Sequence, residues 1–209
     1  MPMRLTSLSL RDGAPIEEVF AFGVPDEKEH MRLGPNRNPH LKWERAPEGT
    51  RSFAIVCLDV DVPNRAEDVN KEGVVLRRGM PRVDFYHWLV ADVPVTAHEI
   101  SAAQDSDGVT KGGKKPAKLV YGVTGANDYT KFLQGSDMQG LYGGYDGPCP
   151  PWNDERLHRY VFTVYALDVE TLNLPADYTG ADLMAAMEGH MLDQASITGT
   201  YTLNPVVSY

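Results

Sequence analysis

Three stretches hold the side chains best able to do chemistry. In "LDVDVP", Asp59 and Asp61 leave the end of the apolar run "SFAIVCLDV". A carboxylate at the end of a buried strand is partly desolvated and needs a cation or strong donors. Asp59 follows the run directly and reads as the inward member; Asp61 shares its face only while the strand stays extended. In "DFYHWLV", period-two geometry places Phe85, His87 and Leu89 on one face and Tyr86, Trp88 and Val90 on the other. In "LHRYVFTVYAL", His158 and Tyr160 point the same way, about 7 Å apart along the strand. An imidazole N–H and a phenol O–H at that spacing can grip one tetrahedral anion. Each stretch also has a plainer reading, as turn aspartates or as a core histidine bonded to a carbonyl.

The segment before the third strand is "YGGYDGPCPPWNDER". Gly143, Gly144 and Gly147 allow close approach and uncommon dihedrals. Pro148, Pro150 and Pro151 fix φ and reduce the entropy lost in holding a defined loop. The segment reads as one wall of a small anion pocket, with backbone N–H groups near Gly147 as donors. It is not a G-x-x-x-x-G-K-S/T loop, so no nucleotide hydrolysis follows from it.

Two enzymatic alternatives use the same residues. Cys149 and His158 could serve as nucleophile and base of a hydrolase, with Asp59 as orienter. The prolines flanking Cys149 lack N–H groups and would make a poor oxyanion hole. His87, His158 and Asp59 form an adequate zinc set, which leaves Tyr160 and the proline segment idle. No cofactor is called for.

The elements that must position these residues are mostly strands. "RSFAIVCLDV", "DFYHWLVADV" and "HRYVFTVYALDV" are buried-strand runs, "SITGTYTL" alternates as a fourth strand, and "MRLTSLSL", "EEVFAFGV" and "AKLVYGV" are weaker candidates. Thr179 and Asp182 have capping-box spacing before a stripe of Leu183, Met187 and Met191, which predicts a helix near the C-terminus. A second helix is expected near Ala97 in "TAHEISAA". The loops 64–83 and 105–118 are long enough to rim a pocket or a dimer contact; "KGGKKPAK" in the latter reads as a solvated charged loop. No linker interrupts the pattern, which predicts one mainly β domain over residues 1–209.

Composition narrows the partners. Hydrophobic residues at 42% and charged residues at 23% suit a globular chain with a real core. A net charge of −9 argues against a nucleic-acid footprint and against docking on anionic membranes. No apolar run approaches the ~20 residues of a membrane span. No secretory signal opens the sequence, so a chain starting at its natural Met1 is expected in the cytoplasm. Cys57 and Cys149 form no framework; Cys57 reads as a core residue.

Taken in order and spacing, "LDVDVP", "FYHWLV" and "GPCPP…HRYVFTVYAL" resemble the phosphatidylethanolamine-binding protein (PEBP) family, in particular its bacterial Raf-kinase-inhibitor-like YbhB/YbcL group. "NPHLKWERAPEGTRSFAI" and "MEGHMLDQASITGTY" extend the resemblance from about Asn38 to Tyr201. The resemblance implies an antiparallel β-sandwich with a few short helices. It also implies a small cavity for phosphate-like, acetate-like or phosphorylethanolamine groups, built from Asp59, His87, the loop Gly147–Pro151, His158 and Tyr160, and a cis peptide before Pro63. Val60 stands where the family usually has the proline of Asp-Pro-Asp. Two segments, between Asp61 and His87 and before the proline loop, are longer than in animal members and are expected to reshape the mouth. From the bacterial group comes the further expectation of a homodimer, and from the family that of regulating a protein partner.

The expected mechanism follows. His87 and His158 face one cavity from neighbouring strands, and Asp59 fixes at least one ring and favours its protonated form. The anion accepts bonds from imidazole N–H, Tyr160 O–H and backbone N–H; Asp59 or Asp61 could instead receive an ammonium group. Affinity is then expected to fall as pH rises past the histidine pKa.

Overall fold

The computed structural model describes residues 1–209. Strands β1 (Arg4–Thr6), β2 (Gly23–Asp26), β3 (His30–Leu33) and β4 (Leu41–Glu44) precede the long β5 (Ser52–Pro63) and β6 (Arg82–Pro94). Short strands β7 (Glu99–Ile100), β8 (Lys118–Leu119) and β9 (Gly122–Thr124) follow, then α1 (Tyr129–Phe132), β10 (His158–Leu167), α2 (Gly180–Met187) and β11 (Met191–Tyr201).

The three chemistry-bearing runs become the centre of a six-stranded antiparallel sheet, in the order β11-β10-β5-β6-β9-β8. A second sheet, β1-β4-β7, covers one face, and β2-β3 form a separate hairpin. Between the sheets, Phe53, Ile55 and Cys57 of β5 and Phe162 and Val164 of β10 meet Leu41 and Trp43 of β4 and Ile100 of β7. On the opposite face, Ala54, Val56, Leu89 and Ala91 lie under Leu183 and Met187 of α2. Both faces of β5 are therefore covered, which is why its sequence runs apolar without alternation. Each fully buried side chain of this size contributes about 1.5–3 kcal/mol.

Several local expectations are corrected. No helix forms at Ala97; β7 occupies that segment and extends the second sheet. The capping box at Thr179–Asp182 is present, but α2 stops at Met187. Gly189 turns into the left-handed region at φ 80°, and Met191 opens β11 as an exposed residue instead of completing the stripe. "EEVFAFGV" splits into a 3-10 turn (Glu18–Phe20) and β2. The single turn α1 was not signalled by any periodicity. All peptide bonds are trans, so the cis bond before Pro63 is absent.

Candidate ligand-binding site

The site begins at the centre of the sheet, where β5 lies between β10 and β6. The two histidines therefore stand on next-but-one strands, with Asp59 on the strand between them. Asp59 is directly across from Tyr160 on one side and from Phe85 on the other.

Two irregularities in the β5–β6 pairing decide what points where. Cys57 pairs with Trp88 and Leu58 with Tyr86, so His87 is an extra residue on β6, a bulge. His87 and Trp88 consequently share one face of the sheet: Trp88 packs in the inter-sheet core and Leu89 goes to the α2 side. Strict alternation, which grouped His87 with Leu89, fails at this point. A second shift, between Asp59–Phe85 and Val62–Val83, sets two residues of β5 against one of β6. It turns Asp61 to the opposite face from Asp59, while Val62 returns to the cavity side.

Asp61 is thereby removed from the site. It is fully buried under an arginine clamp, with Arg156 Nε at 2.5 Å and Arg159 Nε at 2.8 Å. Burial alone would raise its pKa, but the two guanidinium groups hold the carboxyl below the usual carboxylate range. Charge-assisted bonds occupy both its oxygens, so it has no capacity for a ligand ammonium group.

His158 is also fully buried, between two carboxylates. Its Nδ1 donates to Asp59 Oδ2 at 2.7 Å and its Nε2 to Asp154 Oδ2 at 3.2 Å. Burial opposes protonation, but the two carboxylates outweigh it and push the pKa up to about 9. The ring is an imidazolium with both N–H groups committed, which corrects its expected role as a donor to an anion. Asp154 in turn binds Arg82 at 2.5 Å and 3.1 Å. The other oxygen of Asp59 accepts the Asp61 N–H at 2.9 Å.

His87 is held differently. Its Nδ1 donates to the Asp146 carbonyl at 2.7 Å, and the Asp146 N–H returns a bond to the His87 carbonyl at 3.0 Å. Desolvation lowers its pKa, against the opposing pull of Asp59, so the ring is neutral and its Nε2 is an acceptor. Asp146 is itself fixed by Asn36, Asn127 and Lys114. Lys114 of "KGGKKPAK" is thus a structural lysine, not one more charge of a solvated loop. Tyr160 is the exception in this tightly bonded region: its hydroxyl is fully buried and makes no well-formed hydrogen bond, only a marginal approach to Asp59 across the strand. Burial, together with Asp59, keeps its phenol protonated.

The proline segment forms a wall, as expected, but Gly147 serves packing and not ligand approach. A Cβ on Gly147 would sit 2.0 Å from the Phe20 carbonyl, and its N–H is spent on Asn36. The Pro148 carbonyl accepts from Gly23, and Trp152 stacks on His30 with ring centroids 4.0 Å apart. Gly147 and Pro148 lie behind the wall; Cys149, Pro150 and Pro151 line it.

These elements enclose a cavity of about 40 Å³, room for about three waters or one phosphate-sized group. Its polar surface comes from Asp59, His87, His158 and Tyr160, its apolar rim from Phe85, Tyr129, Phe132, Val62 and Val69. Tyr129 and Phe132 belong to α1 and Val69 to the loop after β5, the two longer segments expected to shape the mouth. Sequence reasoning missed the aromatic rim and Asp154. Phe85 was legible as sharing the face of His87, whereas nothing periodic marks α1.

Comparison with known proteins identifies the family. The sequence pattern described as "Phosphatidylethanolamine-binding protein" matches residues 6–202. The chain belongs to the PEBP family. A UPF0098 protein of Aquifex aeolicus is 32% identical over 194 residues, covering 90% of both chains. The UPF0098 protein YbhB of Escherichia coli is 28% identical over 201 residues, 96% of this chain and 100% of that one. The crystal structure of E. coli YbcL, described as a member of the mammalian PEBP family, superposes with a TM-score of 0.69 at 26% identity, over 97% of this chain and 99% of that one. The sandwich with few helices is thus this PEBP member's fold. No helix is long and apolar enough to cross a membrane.

The pairings that the enzymatic alternatives need can be compared with the bonds observed. Burial pushes the Cys149 thiol up to about 12, and the partners of both histidines lie elsewhere. Three of the four imidazole nitrogens of His87 and His158 are hydrogen-bonded, to the Asp146 carbonyl, Asp59 and Asp154.

Proposed function

We propose that the protein binds the polar head of a small or amphiphilic ligand of the phosphate or carboxylate type, phosphorylethanolamine-like compounds included. The observation that carries this reading is a small cavity lined by Asp59, His87 and Tyr160, in which the buried Tyr160 hydroxyl makes no well-formed hydrogen bond and His87 Nε2 is free. A buried donor without a partner costs about 1–3 kcal/mol, a cost that a ligand oxygen would relieve. The aromatic rim of Phe85, Tyr129 and Phe132 suits the apolar part that a headgroup would be attached to. Membership of a family described by phosphatidylethanolamine binding supports the same class.

A phosphorus NMR and thermal-shift titration with phosphate, phosphorylethanolamine and acetate tests it. Saturable binding to the natural chain and its loss in Tyr160→Phe are expected. Absence of any shift across the panel would remove the reading.

A further inference from the structure

The cavity has no Lys or Arg side chain in its lining, which is unexpected for a site that takes anions. Each group facing it has a defined hydrogen-bonding sense. From β5 comes the Asp59 carboxylate, and from β6 the His87 Nε2, an acceptor because Nδ1 holds its proton for the Asp146 carbonyl. From β10 comes the unpartnered Tyr160 hydroxyl, and also His158, both of whose N–H groups already donate to Asp59 and Asp154. Tyr129 of α1 spends its hydroxyl on the Gly147 carbonyl at 2.9 Å. Burial keeps the Cys149 thiol protonated, and its main-chain N–H, the single backbone donor within Pro148–Pro151, has no partner in the protein. Behind the wall, Arg82 is bonded to Asp154. The lining residues thus keep two donors without a well-formed bond, the Tyr160 hydroxyl and the Cys149 N–H, and two acceptors, His87 Nε2 and the lone pairs that Asp59 retains beyond its bonds to His158 and the Asp61 N–H.

A fully ionised phosphate group offers acceptors only. It would set lone pairs against the Asp59 carboxylate in a desolvated space, where no Lys or Arg lines the cavity and the His158 imidazolium is already shared between Asp59 and Asp154. We propose that the site, on the binding role argued above, takes its phosphate-type group with one proton attached, the ligand hydroxyl donating to Asp59 while its other oxygens accept from Tyr160 and Cys149. The bound species is a monoanion of a phosphate monoester, or a carboxylic acid in its protonated form. Above the ligand's own pKa, binding takes up a proton from solvent.

The test is a calorimetric titration of the full chain with methyl phosphate, whose second ionisation is near pH 6, and with methyl sulfate, an isostere that carries no proton. At about pH 7.5 in two buffers of different ionisation enthalpy, methyl phosphate is expected to bind with uptake of close to one proton. Its affinity should fall about tenfold per pH unit above its pKa. Methyl sulfate should bind at least about tenfold more weakly than methyl phosphate even near pH 5.5, where both are monoanions. Asp59→Asn, which replaces an acceptor by a donor, should narrow that gap. Equal affinity for the two esters, or phosphate binding without proton uptake, overturns the proposal and leaves an anion pocket. Binding of neither ester, nor of phosphorylethanolamine, removes the underlying reading instead.

Discussion

Tyr160 and His158 stand two residues apart on one strand and meet opposite fates, one without a partner and one with two. For Tyr160→Phe the expected result is a gain: the unfolding free energy rises by about 1–3 kcal/mol as an unpaired hydroxyl is removed, while ligand binding disappears. Denaturant unfolding alongside the titration reads both, and a destabilised Tyr160→Phe would mean that the hydroxyl is satisfied in the free protein. His158→Ala should be severe, about 3–5 kcal/mol, because it leaves Asp59 and Asp154 buried and unpaired. The pH dependence has a definite sign. The His158 pKa is raised from its ordinary 6.5 to about 9, so its contribution is complete below about 6.5 and fades as pH rises through 9, by up to about 1.4 kcal/mol per unit. The carboxyl of Asp154 is depressed, burial opposing and the bonds from His158 and Arg82 prevailing; its contribution is present above the ordinary carboxylate range and lost on acidification. Urea midpoints measured from acid to alkaline pH should thus fall on both sides of a maximum. A flat alkaline limb would contradict the imidazolium assignment.

At the scale of elements, the sequence was legible wherever pairing is regular. Asp59, His158 and Tyr160 converge because β5 and β10 pair without a shift from Ser52 to Asp59, and alternation read from the sequence carries straight into space. It stops being legible where an extra residue enters. Neither "FYHWL" nor "DVDVP" announces its bulge, so the faces of Leu89, Trp88 and Asp61 could not be read from spacing alone. The donor capacity of His158 was misjudged for another reason: Asp154 lies in an irregular loop, four residues ahead of the strand, and no period signals its return to the ring. The proline segment was recognised as rigid, but the use of Gly147 depends on a carbonyl 127 positions away in sequence (147 − 20). Gly147→Ala is expected to displace Phe20 or the loop, lowering the melting temperature and slackening the Asp146–His87 bonds. A variant with unchanged stability and unchanged histidine NMR shifts would show that the close approach is not needed.

At the scale of the molecule, a small polar cavity without a lining Lys or Arg sits in a chain of net charge −9. The general field repels an approaching anion, and salt screens it over about 10 Å at 0.1 M. The association rate of an anionic probe is therefore expected to rise modestly with ionic strength, the reverse of a basic binding site. Stopped-flow mixing at low and moderate salt would show this, and a falling rate would point to a local positive funnel. The architecture itself was readable in advance, since buried-strand runs, turn residues and the closing capped helix all imply a covered antiparallel sheet. The enclosing rim was not, because it comes from loops whose course is set only after the sheets have packed.

The bulge at His87 has an evolutionary reading. An extra residue in a ladder is an addition and not a replacement, so Tyr86 and Trp88 would keep their directions in a shortened strand that lacked it. A sandwich can therefore gain or lose the imidazole that lines this cavity by a single codon, without exchanging any residue of its apolar interior.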